Sequence, residues 1–226
     1  MKRILILGAG GHGQVVADIL LAMQAAGEDI APLGYLDENP ELLGQELLGL
    51  PVLGTQADVT HVSHDALVVA IGDNRRRAAV FAVLRARGEA FAIARHPSAI
   101  IGRASMIGPG AMICAGAIVN PGSQIGADVI LNTACSVDHH NEIGDHAHIA
   151  PGAHLAGRVR AGEGCFIGAG ATVIPEMTVG AWSVVGAGAC VIRPVPANIM
   201  VAGVPARPIT GRLRLSSHVD TNEEEL

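Results

Sequence analysis

Aromatic side chains are almost missing from this chain: one Trp, one Tyr and three Phe make up 2% of 226 residues that are 50% hydrophobic. Its core has to be built from aliphatic and small residues, so the fold must be one with no need of a large aromatic filling. Charge is also sparse, at 16%, and the net balance of −6 with a pI near 5.9 offers no basic field for nucleic-acid partners. Long apolar runs are lacking too. Met1-Lys2-Arg3 leads into Ile4 to Leu7 and then directly into glycines, too short for a signal-peptide core or a membrane span, so no transmembrane segment and a cytoplasmic location are expected. Cys114, Cys135, Cys165 and Cys190 lack the close paired spacing of a zinc site and read as small core or corner residues.

What the chain has is a repeat. From Ile101, Ile107 and Ile113 through to Val179, Val185 and Val191, an aliphatic or small apolar residue recurs every six positions without a break. A mostly small residue stands two positions ahead of it, as at Ser105, Ala117, Cys135, Ala147 and Ala171. Helices repeat near 3.6 residues and strands near two, so neither accounts for six. One short strand and one corner per hexapeptide does, with three such sides closing a coil of a triangular prism, the aliphatic residue pointing inward and the small one at the corner. The sixteen repeats make slightly more than five coils, a prism about 25 Å long at ~4.8 Å per strand. Each coil bonds only to its neighbours, which suits a chain so poor in aromatics.

Before residue 100 this period is absent. Residues 3–7 predict a strand, Gly8 to Gly13 a tight turn, and Val15, Val16, Ile19, Leu20 and Met23 a helix. That is the setting in which free N–H groups and a helix N-terminus hold a phosphate. Residues 32–36 predict a second strand ending at Asp37-Glu38; residues 66–71 predict another ending at Gly72-Asp73-Asn74. A basic amphipathic helix over 75–87 and a last strand near 91–94 follow. The alternation implies a small parallel α/β domain with its loops gathered at the strand carboxyl ends. Gly8, Gly10 and Gly13 match the dinucleotide fingerprint, with Asp37 where a ribose-binding acid would sit. NAD binding and a plain tight turn therefore stand beside a nucleotide or nucleotide-sugar site. The last is favoured, because the rest of the chain is a β-helix and not the catalytic domain of a dehydrogenase.

The expected domains are 1–96, 97–193 and a C-terminal loop and tail, 194–226. Pro194 and Pro196 should obstruct further ladder pairing, and residues 216–226 read as a solvated tail. Five of the ten histidines, His139, His140, His146, His148 and His154, crowd into the prism. The run from Ser136 to Glu142 falls at a corner, because Val137 is the inward residue.

Taken together, Gly10-Gly11-His12-Gly13, Gly72-Asp73-Asn74, His96-Pro97-Ser98-Ala99, Asn132-Thr133, Val137-Asp138-His139, Ala156-Gly157 and Gly203-Val204-Pro205-Ala206 resemble the NeuD/PglD-like family of sialic-acid O-acetyltransferases and nucleotide-aminosugar N-acetyltransferases. The resemblance implies a Rossmann-like domain followed by a left-handed parallel β-helix, a homotrimer, acetyl-coenzyme A in a groove between neighbouring prisms, and a nucleotide sugar on the α/β domain. It implies His139 as general base, the Gly157 N–H as oxyanion donor, and His148, Ala169 and Ala187 as acetyl-coenzyme A contacts. Gly10, Gly11 and His12 would touch the pyrophosphate, with Asp37 and Glu38 near the base or ribose and Gly72 and Asn74 in the same substrate site. No metal is implied. Where the family has Asp or Glu after the catalytic histidine, this chain has His140, a weaker partner for the base.

The implied chemistry is sound: an amine attacking a thioester must lose a proton, and imidazole is suited to take it. The thioester oxygen becomes negative as the bond forms, so a fixed N–H aimed at it lowers the barrier. The leading expectation is acetyl-coenzyme A-dependent N-acetylation of a nucleotide-linked amino sugar by direct transfer. O-acetylation of a sugar, a non-catalytic nucleotide-sugar-binding protein and a histidine-ligated metalloenzyme are the competing readings.

Overall fold

The computed structural model describes residues 1–209. β1 (Lys2–Leu7) has its last four residues buried and reads as an unbroken apolar run, as an interior parallel strand must. It pairs in parallel with β2 (Ile30–Leu36) on one side and with β5 (Ala66–Val69) on the other; β4 (Leu50–Gly54) continues the sheet beyond β2. The short β3 (Glu46–Leu47) closes that edge antiparallel to β4. Between β1 and β2, α1 (Gly11–Ala25) buries Val16, Ile19, Leu20 and Met23, the residues at helical spacing. After β5 comes α2 (Asn74–Ala86), whose N-cap Asp73 accepts the Arg76 N–H at 2.8 Å.

From residue 94 the chain winds as a parallel β-helix of three sheets. Residues eighteen apart pair in register, Ile118 with Ile100 and with Ser136. The inward aliphatics from Ile113 to Val191 form one core cluster. Each corner needs a residue with positive φ, supplied either by glycine, as at Gly116 and Gly152, or by residues such as Asp128, His140, His146 and Arg158. The cysteines sit in these layers as unpaired thiols. Burial lifts Cys114 to about 11 and Cys135 and Cys165 to about 12, which leaves them inert.

The structure corrects the expected boundaries at both ends. No strand forms over 91–94: Phe91 makes one bridge to Leu67, and Ala94–Arg95 instead pairs with Met112–Ile113. The entering chain thus caps the open ladder edge of the first coil, which would otherwise leave backbone groups unpaired, and the prism begins before His96. At the other end the ladder does not stop at 193. Val195 bridges Val179, Met200–Ala202 pairs with Val184–Val185, and Arg207–Pro208 closes antiparallel to it. Pro194 and Pro196 are tolerated because they flank Val195, whose N–H is the one donated, to Thr178 O at 2.8 Å. The expected tail over 216–226 lies outside the described residues.

The α/β domain packs on one prism face, the eight-stranded sheet that contains Met112–Ile113, Ile130–Leu131 and His148–Ile149. Met112, Cys114 and Ile130 share a core with Ile4, Val16, Leu20 and Ala94. Among the described residues no part of the α/β domain packs on the other two faces, and Ile100 and Met106 on them are each 60% exposed.

Candidate functional site

At the carboxyl ends of β1 and β5, where the strand order reverses, an open α/β sheet leaves a crevice for a ligand. Here it is a cleft of about 350 Å³ lined by Gly8, Gly10, Gly11, His12, Asp37, Glu38, Gln56, Ala70, Ile71, Gly72 and Arg76. Of the substrate residues expected from the sequence, Gly10, Gly11, His12, Asp37, Glu38 and Gly72 are brought together in it. Asn74 is the correction: its amide turns from the cleft to the prism and donates to the Gly164 and Cys165 carbonyls at 3.1 and 3.2 Å. Gly13 is glycine for a steric reason, since a Cβ there would overlap the carbonyl of Gly8. Gly10 caps α1 without a side chain, so the first N–H groups of the helix remain open to an anion.

The two acids in the cleft are partly committed. Asp37 Oδ2 accepts the Ala9 N–H at 2.6 Å and Oδ1 the Asn39 N–H at 2.8 Å, which ties the glycine loop to the end of β2; Glu38 Oε1 accepts the Gln56 N–H at 3.0 Å. Asp37 therefore shapes the loop as well as lining the site. Arg76 is the cationic side chain of the cleft and suits a pyrophosphate. Read as one of several charges on an amphipathic helix it passes unnoticed; its place two residues after Asn74 at a strand end was the available signal.

His12 and His148 lie side by side where the cleft meets the prism, their ring centroids 6.3 Å apart. Burial, with the Arg77 charge second, pushes His12 down to about 4 and His148 to about 3. Both are neutral near pH 7. His148 Nε2 lies 3.1 Å from Asn132 Nδ2, while His148 Nδ1 and His12 Nε2 are buried with no hydrogen-bond partner among the described residues.

His139 stands elsewhere, at the corner between Ser136–Val137 and Glu142–Ile143. Its Nδ1 is 3.1 Å from His140 Nδ1. One proton between two such nitrogens makes one the donor and the other the acceptor; with His139 as donor, its Nε2 is left free as a base. Asp138 does not take this place. Its Oδ1 accepts from Asn120 Nδ2 at 2.9 Å and from the His139 backbone N–H at 2.8 Å. One coil further on, Gly157 lies flush against the His139 ring, where a Cβ would come within 2.6 Å of Cε1 and 2.7 Å of Nε2.

The corners also explain why backbone donors are available. At each corner one N–H falls outside the ladder. Pro121, Pro151 and Pro175 have none to offer, and those of Ala127, Thr133 and His139 are taken by the side chains of Asp145, Asn132 and Asp138. At Gly157, Ala169 and Ala187, among others, no acceptor is found among the described residues. Gly157 thus has a free donor beside the candidate base, and Ala169 and Ala187, exposed on successive coils, present free donors along the edge of the face that carries His148. Among the described residues no three His, Cys, Asp or Glu side chains converge to hold a metal ion.

Residues 3–84 match the PglD N-terminal domain, and residues 142–175 match the bacterial transferase hexapeptide (six repeats). GDP-perosamine N-acetyltransferase of Escherichia coli O157:H7 is 32% identical over 165 residues, 72% of this chain and 73% of that protein. The acetyltransferase domain of PglB from Neisseria gonorrhoeae, solved with acetyl coenzyme A, superposes with a TM-score of 0.85 at 37% identity, over 92% of this chain and 99% of that one. PerB from Caulobacter crescentus, solved with CoA and GDP-perosamine, does so with 0.84 at 37% identity, over 93% and 98%. This chain therefore belongs to the NeuD/PglD-like family of hexapeptide-repeat acetyltransferases.

Proposed function

We propose that this protein transfers the acetyl group of acetyl-coenzyme A to the amino group of a nucleotide-linked amino sugar, with His139 as general base. The observation that carries the reading is the corner itself: a histidine whose Nδ1 is held by a neighbouring imidazole, packed against a glycine with a free N–H. In the transfer the amine attacks the thioester carbonyl and gives its proton to His139 Nε2. The oxygen, now negative, is received by the Gly157 N–H. The C–S bond then breaks, and the coenzyme A thiolate recovers a proton from the imidazolium. The cleft holds the nucleotide, with its pyrophosphate at the α1 N-terminus and Arg76; His148, Ala169 and Ala187 contact acetyl-coenzyme A. The Escherichia coli relative and PerB, named for and solved with GDP-perosamine, make this nucleotide sugar the first to test.

The same geometry supports a homotrimer. His139 is on the corner opposite the face that carries the α/β domain, so base and cleft of one chain stand on opposite sides of its prism. A neighbour can bring its corner to this chain's cleft, and the two faces that the α/β domain leaves uncovered, with their exposed Ile100 and Met106, offer apolar surface to pack. No helix among the described residues is long and apolar enough to cross a membrane, and a cytoplasmic location fits the use of acetyl-coenzyme A.

The test is to incubate the purified protein with acetyl-coenzyme A and a panel of nucleotide 4-amino sugars that includes GDP-perosamine, reading thiol release and the mass of the sugar product. Acetylation of an amine that is lost in His139→Ala is expected. Binding without turnover would favour a non-catalytic protein, acetylation of a hydroxyl would favour O-transfer, and an active His139→Ala would remove the base.

A further inference from the structure

Apart from the cleft and the histidine corner, one set of charges among the described residues is buried and has no part in the chemistry above. Arg77, in the first turn of α2, and Asp128, at a prism corner, are both fully buried. Arg77 Nε donates to Asp128 Oδ2 at 3.1 Å, Nη2 to the His146 carbonyl at 2.6 Å, and Nη1 to Ile71 O at 3.0 Å and Asn74 Oδ1 at 2.9 Å. His146 Nδ1 closes on the same carboxylate oxygen at 2.8 Å. On the next two coils, Asn74 bonds the Gly164 carbonyl and the Arg75 guanidinium lies 4.7 Å over the Trp182 ring. Positions 128, 146, 164 and 182 are eighteen residues apart, the same corner position on four successive coils. One helical turn thus grips four coils, while Arg76, within that turn, lines the cleft.

A buried ion pair is a poor stabiliser, because removing both charges from water cancels most of their attraction and an apolar contact of equal volume would serve as well. What it supplies that an apolar contact cannot is position, since the guanidinium donors point in fixed directions. We propose that Arg77 is a positioning residue for nucleotide binding: by holding Ile71 and Asn74 on one side and the Asp128–His146 corner on the other, it sets the cleft wall formed by residues 71–72 and Arg76 against the prism. The Arg77 charge also helps keep His12 and His148 neutral at the same junction. The inference rests on the reading of the cleft as a nucleotide site.

The test begins with calorimetric titration of the wild-type protein by GDP, UDP and dTDP, and the diphosphate it binds becomes the probe. Two variants follow, with melting temperature and sedimentation as controls of folding. Arg77→Met/Asp128→Asn removes both charges together, so no lone ion is left buried, and Asn tolerates the positive φ at position 128. Arg77→Lys keeps the charge and loses the fork. The double variant should melt within a few degrees of wild type, bind the probe at least about tenfold more weakly, and raise the nucleotide-sugar KM in proportion with the acetyl-coenzyme A KM unchanged. Arg77→Lys should weaken the probe by about threefold or more. A folded variant of either kind with wild-type nucleotide affinity overturns the inference, and failure of both to fold overturns it too, making Arg77 a stabilising residue only. If the wild type binds none of the three diphosphates, the cleft reading fails before any variant is made.

Discussion

Replacing His140 by Asp should make this enzyme faster, and the size of the gain follows from the corner geometry. His140 Nδ1 is bonded to Cγ and lies 3.1 Å from His139 Nδ1; an Asp carboxylate oxygen is also bonded to Cγ, so it falls in nearly the same place. The backbone at His140 has φ 56°, a conformation that Asp and Asn adopt readily and Glu or Ala less so. As the proposed base, His139 would become an imidazolium during transfer, which a carboxylate stabilises and a neutral imidazole does so less well. Two unit charges about 4 Å apart attract by about 1 kcal/mol in water and by about 4 kcal/mol at an effective dielectric constant of 20. Both histidines are exposed, so the lower end applies, up to about 1.4 kcal/mol or tenfold in rate. The assay is kcat for the same saturating amino sugar in wild type, His140→Asp, His140→Asn and His139→Ala. Asn keeps the shape and an acceptor oxygen without the charge, so it should stay near wild type while Asp rises by up to about tenfold and His139→Ala falls by roughly 10² to 10⁴. Equal rates for Asp and Asn would show that the charge contributes nothing. A His140→Asn variant as slow as His139→Ala would make the two imidazoles an obligate unit and refute a single-base mechanism.

Gly157→Ala places a methyl group against the His139 ring while keeping the N–H, and should lower kcat by about two orders of magnitude or more; near-normal turnover would show that the ring moves aside freely. Arg76→Ala removes the cleft's cation and should raise the nucleotide-sugar KM by about tenfold or more through loss of a charge-assisted contact, with the KM for acetyl-coenzyme A as the internal control. Asp138→Asn keeps an oxygen to accept from Asn120 and from the His139 N–H, so kcat should change by no more than about twofold. The fold should weaken with mild acid: His12 and His148 titrate at about 4 and about 3 when folded and near 6.5 when unfolded. Below pH ~6.5 the unfolded chain therefore takes up protons that the folded chain cannot, and stability falls until the buried rings titrate. Denaturant midpoints between pH 7 and 5 should show this slope, flattened in a His12→Asn/His148→Asn variant; an equally steep loss in that variant would assign it to other groups.

Much of this protein was legible in its sequence because both domains rest on local rules. The six-residue period from Ile101 to Val191 determined the prism, since each coil pairs only with the coil eighteen residues away and every inward side chain declares itself. The strand, glycine turn and helix around Gly8 to Gly13, and the acids at the end of β2, likewise placed Gly10, Gly11, His12, Asp37 and Glu38 around one cleft, although Asn74 turns away from it and Arg76 lines it. The boundaries were not legible: Ala94–Arg95 and Met200–Ala202 join the ladder because an open edge accepts any backbone, whatever the side chains, and Val195 pairs between two prolines. The direction of side chains on α2 was equally hidden. Asn74, Arg75, Arg76 and Arg77 are four successive polar residues, and only the docking of the helix against a prism corner sends three of them to the β-helix and one to the cleft. Tertiary structure alone also put His139 on the corner opposite the face that carries the α/β domain and its cleft. A period of six specifies which residues face inward, but it leaves open which of three equal faces the other domain covers; that choice is made by the apolar surface of Met112, Cys114 and Ile130 and by the buried Arg77–Asp128 pair, contacts between residues far apart in the chain.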